Sequence, residues 1–362
     1  MGRSINEDMT VFSSDDAKRL QAVAIIMMLV HHLFKGKYVG GYVGIPLACQ
    51  TLEYYIADSF KLCVAIYALL SGIGAYYSSI KHKLDCNWFI KRTLPVYTRY
   101  VLTGTLIIMP LCILFSEEEF NIINILGELS LAYMPYSTMG WYLRFYVLAC
   151  LLTPFMIRLI NTHPYMFESS VIIITIVAII QGRMLNISNN IILSKLIYYS
   201  WELEQYLPVW MTGMLIAKYD IFSKILNSCN IRGGGGVFKQ SCIAAAFSLI
   251  TATIICVLRE LDPIDGVYFD IVYGAVFSIS LVMLLRQIAK VNIIERTLSF
   301  LSRNGIELWL LQSLFPHKFF DNLWIYWPKY PVLIFIWTFV VLIVAAHIIE
   351  KTIFQNSIYL RR

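Results

Sequence analysis

The apolar run AIIMMLVHHLF at 24–34 ends in two adjacent histidines. Imidazole titrates near neutrality, so His31 and His32 are the side chains best suited to take up and return a proton. On a helix turning about 100° per residue, Gln21 shares a stripe with His32, roughly 16 Å away along the axis. Lys18 falls about 40° off that stripe, Arg19 points away, and His31 sits about 100° round from His32. One face therefore carries a cation, an amide and an imidazole. A neutral imidazole there suits removal of the proton from a hydroxyl that attacks an activated acyl group. No Gly-x-Ser-x-Gly elbow supplies a serine nucleophile. Metal-binding histidines on a helix favour i, i+4 spacing, so the adjacent pair is read as holding no metal. The plainer alternative makes both histidines markers of the outer interface. Against it, Lys18 to His32 covers only about 20 Å, short of a hydrocarbon core of about 30 Å.

The element carrying these residues must sit in an apolar solvent. The chain of 362 residues is 58% hydrophobic and 14% charged, with a mean hydropathy of +0.66. A single soluble core of this length does not hide so much apolar surface. The expected class is an all-α polytopic membrane bundle in a single domain, 1–362. Spans are expected at 19–36, 60–80, 94–115, 141–160, 169–185, 205–219, 240–258, 268–286, 299–316 and 331–350. The polar N-terminus lacks the basic-then-apolar order of a cleavable signal, so the first helix is expected to remain as an anchor. Eight cysteines, none in a Cys-x-x-Cys pair, read as small buried hydrophobes. RGGGGV at 232–237 lacks the Lys-Ser/Thr of a phosphate-binding loop and reads as a flexible connection.

The net charge of +6 does not mark a nucleic-acid surface, because no basic run is interleaved with aromatics. Most of the 29 lysines and arginines fall on one side if the helices alternate and both termini are cytoplasmic. Among the exceptions, Arg99 and Arg144 lie inside apolar helices and keep their charge, which makes them candidate pore residues. Arg144 follows Trp141 near an outer helix end, where snorkelling is the alternative. Glu307 is the expected carboxylate partner for one of the two arginines. Lys91 and Arg92 suit positive-inside anchoring. Ser71 and Gly72 suit close helix packing. His347 reads as structural, and His82, His163 and His317 as solvated loop residues.

Six stretches, in order, resemble blocks of the membrane-bound acyltransferase-3 family: KRLQAVAIIMMLVHHLF, VAIYALLSGIGAYYS, FIKRTLPVYTRY, WYLRFYVLACLLTP, LPVWMTGMLIAKY and FLSRNGIELWLLQSLF. The family carries Arg or Lys, ten residues, then His in its first helix. The resemblance implies acyl transfer, commonly acetyl from acetyl-CoA, to a hydroxyl of a surface glycan. It puts His32 in the catalytic slot, with His31 beside it. Gln21 stands where the family has a cation, and Lys18 lies nearly on the same stripe. Arg92 matches a family arginine suited to CoA phosphates. Gln312 stands where many members have histidine. The implied partners are membrane lipid, acyl-CoA as co-substrate and a glycan acceptor, with no permanently bound cofactor, in the cell membrane. A transporter or flippase of a glycan or small anion suits many helices with intramembrane arginines on physics alone. Paired broken helices would favour it, and none is evident. A glycan polymerase would need a large outer loop, whereas the longest outer intervals here are about 25 residues.

Overall fold

The computed structural model describes residues 12–35, 41–47, 50–115, 120–137, 139–185, 191–229, 237–261, 269–315 and 324–354, with backbone alone at 182–185, 191–202, 226–229 and 237–241. The glycine run at 233–236, residues 116–119 and 262–268, and His317 lie outside the described residues.

The architecture is all-α, as composition implies. Helix α1 (Ser14–Lys35) begins at a cap in which Asp16 accepts from the Ser13 amide at 2.9 Å and the Asp16 amide donates to Ser13 Oγ at 3.2 Å. It is followed by a two-residue antiparallel hairpin (Pro46–Leu47 and Gln50–Thr51), α2 (Leu52–Ser59) and α3 (Leu62–Lys81). Helix α4 (Cys86–Thr103) runs through a π turn, Gly104–Ile108, into α5 (Met109–Phe115). Pro110 has no amide proton and its ring displaces the carbonyl four residues earlier, which lies inside that π turn. Then come α6 (Ile122–Leu129), α7 (Gly140–Thr162), α8 (Pro164–Leu185), α9 (Ile191–Lys218) and α10 (Ile221–Cys229). The chain continues through α11 (Val237–Glu260), α12 (Asp270–Ile288), α13 (Asn292–Arg303), α14 (Gly305–Leu311) and α15 (Pro331–Ile349).

Among the described residues, eight helical segments are long and apolar enough to cross a membrane: Ser14–Lys35, Leu52–Lys81, Cys86–Phe115, Gly140–Thr162, Pro164–Gln181, Cys242–Glu260, Asp270–Ile288 and Pro331–Phe354. The two remaining expected spans are also helical but differ in extent. The span expected at 205–219 is the end of α9, which begins at Ile191. The span expected at 299–316 is divided, because Asn304 separates α13 from α14. Large apolar side chains such as Leu151, Phe155, Ile172 and Val332 are exposed on these helices, as surfaces facing lipid are.

The chain falls into two compact units. One comprises 1–24, 62–85 and 149–299; the other comprises 25–61, 86–148 and 300–362. In the first, α3 packs on α9 and α12, and glycine allows the approach. A Cβ on Gly72 would strike the Trp210 carbonyl, and one on Gly213 the Leu69 carbonyl, which fulfils the small-residue reading of Gly72. In the second, α14 packs on α4 and α15, burying Tyr100, Leu308, Leu310 and Ile334. Of the described cysteines, Cys63, Cys112 and Cys150 are buried as expected, but Cys86 and Cys242 are exposed.

Candidate functional site

Both ends of α1 are anchored, each within its own unit. At the N-terminal end, Arg286 grips Asp16 with Nε at 3.0 Å and Nη2 at 2.7 Å, and Arg19 donates to Glu295 at 2.9 Å. Arg19, read as lying off the stripe, fixes the helix end through this bond. Lys18 stays at the surface, paired with Asp15 at 3.0 Å. Gln21 is half-buried, and its carbonyl accepts from the Tyr67 hydroxyl at 3.1 Å.

At the C-terminal end, His31 lies 2.6 Å through Nδ1 from the Ala57 carbonyl. A carbonyl only accepts, so Nδ1 carries the proton and the ring is held as one tautomer. Lys35 forms an ion pair with Asp58 and lies over the Tyr54 ring, 5.1 Å from its centroid. The Tyr326 hydroxyl donates to the Leu33 carbonyl at 2.5 Å. These contacts fix the helix turn that bears His32. The His32 ring is half-buried and sits edge-on to His31 with centroids 5.3 Å apart. No hydrogen bond reaches it among the described residues. The two histidines thus differ in kind: His31 is tied to backbone, and the His32 nitrogens make no hydrogen bond among the described residues.

The intramembrane arginines also separate. Arg99 pairs with Glu307, both buried, and reaches Glu350 at 2.7 Å while lying over the Phe354 ring at 4.5 Å. The expected pairing with Glu307 is present, and Glu350, which sequence reasoning passed over as a helix end, completes the cluster. Glu307 Oε2 is buried without a hydrogen-bond partner among the described residues. Arg144 is half-buried and donates to the Leu131 carbonyl at 2.9 Å. Arg92 lies over the Trp88 ring at 5.6 Å. Trp141 packs edge-on to Tyr142, which in turn meets Trp309. Gln312 is buried, and its Oε1 has no hydrogen-bond partner among the described residues. His82, His163 and His347 are exposed.

Three further polar groups escaped the sequence reading. Glu128, in an interval read as an outer loop, is buried and bonded to Tyr100 at 2.6 Å. Arg259 and Asp270 form a buried pair at 3.1 Å between α11 and α12. Glu204 accepts from Gln181 at 3.3 Å, with Oε2 buried and without a partner among the described residues. Starting the sixth helix at 205 left Glu204 just outside it, and the true start at Ile191 places it well within.

Of the expected candidates, the second unit holds His31, His32, Arg92, Arg99, Trp141, Arg144, Glu307 and Gln312. Lys18 and Gln21 belong to the first. No curated protein matches the chain. The acyltransferase domain of the acyltransferase-3 family matches residues 18–349, running through both units and every candidate residue, so the chain belongs to the acyltransferase-3 family.

Proposed function

We infer that this membrane acyltransferase moves an acetyl group from acetyl-CoA to a hydroxyl of a cell-surface or lipid-linked glycan, with His32 as general base. The observation that carries the reading is the state of His32: half-buried on α1, beside a histidine tied to backbone, and itself without a hydrogen-bond partner among the described residues. A base must keep a nitrogen open to the proton it removes.

The step balances simply. The acceptor oxygen attacks the thioester carbonyl, the carbon–sulfur bond breaks, and His32 passes the hydroxyl proton on to the departing CoA thiolate. His31 keeps its Nδ1 proton on Ala57 and holds the geometry of the adjacent turn. On the donor side, Lys18 and Gln21 of the first unit and Arg92 of the second are each taken as a candidate contact for CoA phosphate or thioester oxygens. Arg99, Arg144, Trp141, Glu307 and Gln312 line the acceptor route in this reading. The cation distribution supports cytoplasmic termini and a cell-membrane location, so that the donor arrives from inside and the glycan from outside.

The test is purified protein in lipid with acetyl-labelled CoA and a range of glycan acceptors. Labelled glycan is expected from the parent, and a fall of about 10²–10⁴ for His32→Ala. Undiminished transfer by His32→Ala overturns the assignment of the base. Absence of CoA binding by the parent overturns the donor.

A further inference from the structure

Between α5 and α7 the chain folds back along α4. Tyr97 and Tyr100 lie about 16 and 21 Å along the helical segment that starts at Cys86. Both phenols meet the end of α6: Tyr97 donates to the Leu129 carbonyl at 2.6 Å, and Tyr100 to Glu128 Oε1 at 2.6 Å. Helix α6 has 8 residues, about 12 Å, too short to cross a bilayer. It therefore packs against the middle of that segment and does not cross on its own. Its outward residues Ile122, Ile123 and Leu126 are apolar and exposed, while its carboxylate is buried.

Irregular backbone beside a spanning segment persists only where its polar groups are satisfied by protein or by water in a cavity. Glu128 supplies that satisfaction. Its oxygens accept from the Tyr136 amide at 3.3 Å and the Ser137 amide at 3.1 Å. Arg144 takes the Leu131 carbonyl, where the backbone adopts a positive φ of 59°. The segment so fixed brings Ser137 Oγ to 3.2 Å from Ser313 Oγ. Ser313 follows Gln312 on the short 3-10 turn that ends α14. Gln312 is 1% exposed, and its Oε1 finds no donor among the described residues. A buried amide oxygen without a donor is costly, and a donor is what a substrate hydroxyl supplies. The turn's own groups are a hydroxyl and an amide. Glu128, the carboxylate behind them, is engaged by Tyr100 and backbone amides. This chemistry fits a neutral sugar hydroxyl better than a phosphate or a carboxylate.

We propose that Gln312 Oε1 is the hydrogen-bond acceptor for a hydroxyl of a neutral glycan acceptor, and that Glu128 positions it through Ser137 and Ser313. This rests on the acyl-transfer reading for its physiological meaning, but the binding it describes is measurable without turnover. The probe is a panel of methyl glycosides of glucose, galactose, mannose and N-acetylglucosamine, followed by saturation-transfer NMR on the full chain in lipid nanodiscs. At least one glycoside is expected to bind the parent, with a loss of fivefold or more for Gln312→Leu. Ser313→Ala should weaken binding and Ser313→Thr, which keeps the hydroxyl, should restore it. Affinity for acetyl-CoA should change less than twofold in all three. Gln312→Leu is close in volume and is checked for folding by size exclusion and thermal unfolding. If it unfolds, the Ser313→Ala and Ser313→Thr pair decides alone. Equal glycoside binding by Gln312→Leu and parent overturns the proposal. So does a panel wholly silent on the parent, or parallel loss of glycoside and CoA affinity. Glycoside binding that follows the pattern while the parent ignores acetyl-CoA would instead overturn the donor reading and leave the glycan site standing.

Discussion

Arg99 and Glu307 stand 208 residues apart in the chain and form an ion pair in which neither side chain is more than 4% exposed. The pair joins α4 to α14, and Glu350 beyond α15 supports it from the more exposed side. Because Glu350 remains to Arg99, the two partners are not equivalent. Arg99→Met strands Glu307 in the interior and is expected to cost about 3–5 kcal/mol. Glu307→Gln leaves Arg99 with Glu350 and should cost clearly less. The double variant Arg99→Met/Glu307→Gln should recover much of the loss. Thermal unfolding in lipid, arranged as a double-mutant cycle, measures all three; equal costs for the two single variants would contradict the asymmetry.

The histidines are expected to part company under mutation. His32→Ala removes the base, whereas His31 acts through its bond to Ala57. His31→Asn keeps an N–H donor and should retain more transfer than His31→Ala. Labelled-acetyl transfer with matched expression and folding separates the two roles, and identical losses for His31→Asn and His31→Ala would remove the carbonyl bond from the account.

Gln21 holds the slot where the resembled family has a cation. If that slot serves the acyl donor, Gln21→Lys preserves or raises activity and lowers the KM for acetyl-CoA while leaving the acceptor KM unchanged. A strong fall in kcat would show that the amide has a role of its own.

Glu128 gives a pH test outside the spanning helices. Burial raises its carboxyl above the ordinary value, and the hydrogen bonds from Tyr100, Ser137 and Tyr136 offset only part of that effect. The fold therefore favours the neutral form. This contribution to stability is fully present below the ordinary carboxylate range and is lost as pH rises through the elevated folded value. Unfolding followed from about pH 4 to pH 8 should show the parent losing stability over that window. Glu128→Gln should lack that component, and superimposable profiles would refute it.

At the α3–α9 crossing, a methyl group on Gly72 meets the carbonyl of Trp210, which is backbone and gives little way. Gly72→Ala is expected to destabilise by about 1–3 kcal/mol through forced separation of the helices. Thermal unfolding reads this directly, and an unchanged midpoint would mean that the helices part without cost.

The sequence by itself settled the solvent, and hence the fold class. So many apolar residues, grouped in runs long enough to span, have few ways to be satisfied outside a helical bundle in lipid. It also separated His32 from His31, because 100° per residue is a local rule that needs no tertiary information. Pairings between distant segments were another matter. Glu307 was legible as a partner because a buried arginine demands a carboxylate, yet its assignment to Arg99 rather than Arg144 depended on which helices pack. Glu128 was invisible: in a polar interval it reads as a solvated acid, and only the packing of α6 beside Tyr97 and Tyr100 buries it. Glu204 was missed by one residue at a helix boundary, where hydropathy is least informative. Local periodicity follows from the order of residues along the chain. Burial of a charge, and the partner that makes it tolerable, depends on what other segments bring to it, and that was decided by the tertiary structure alone.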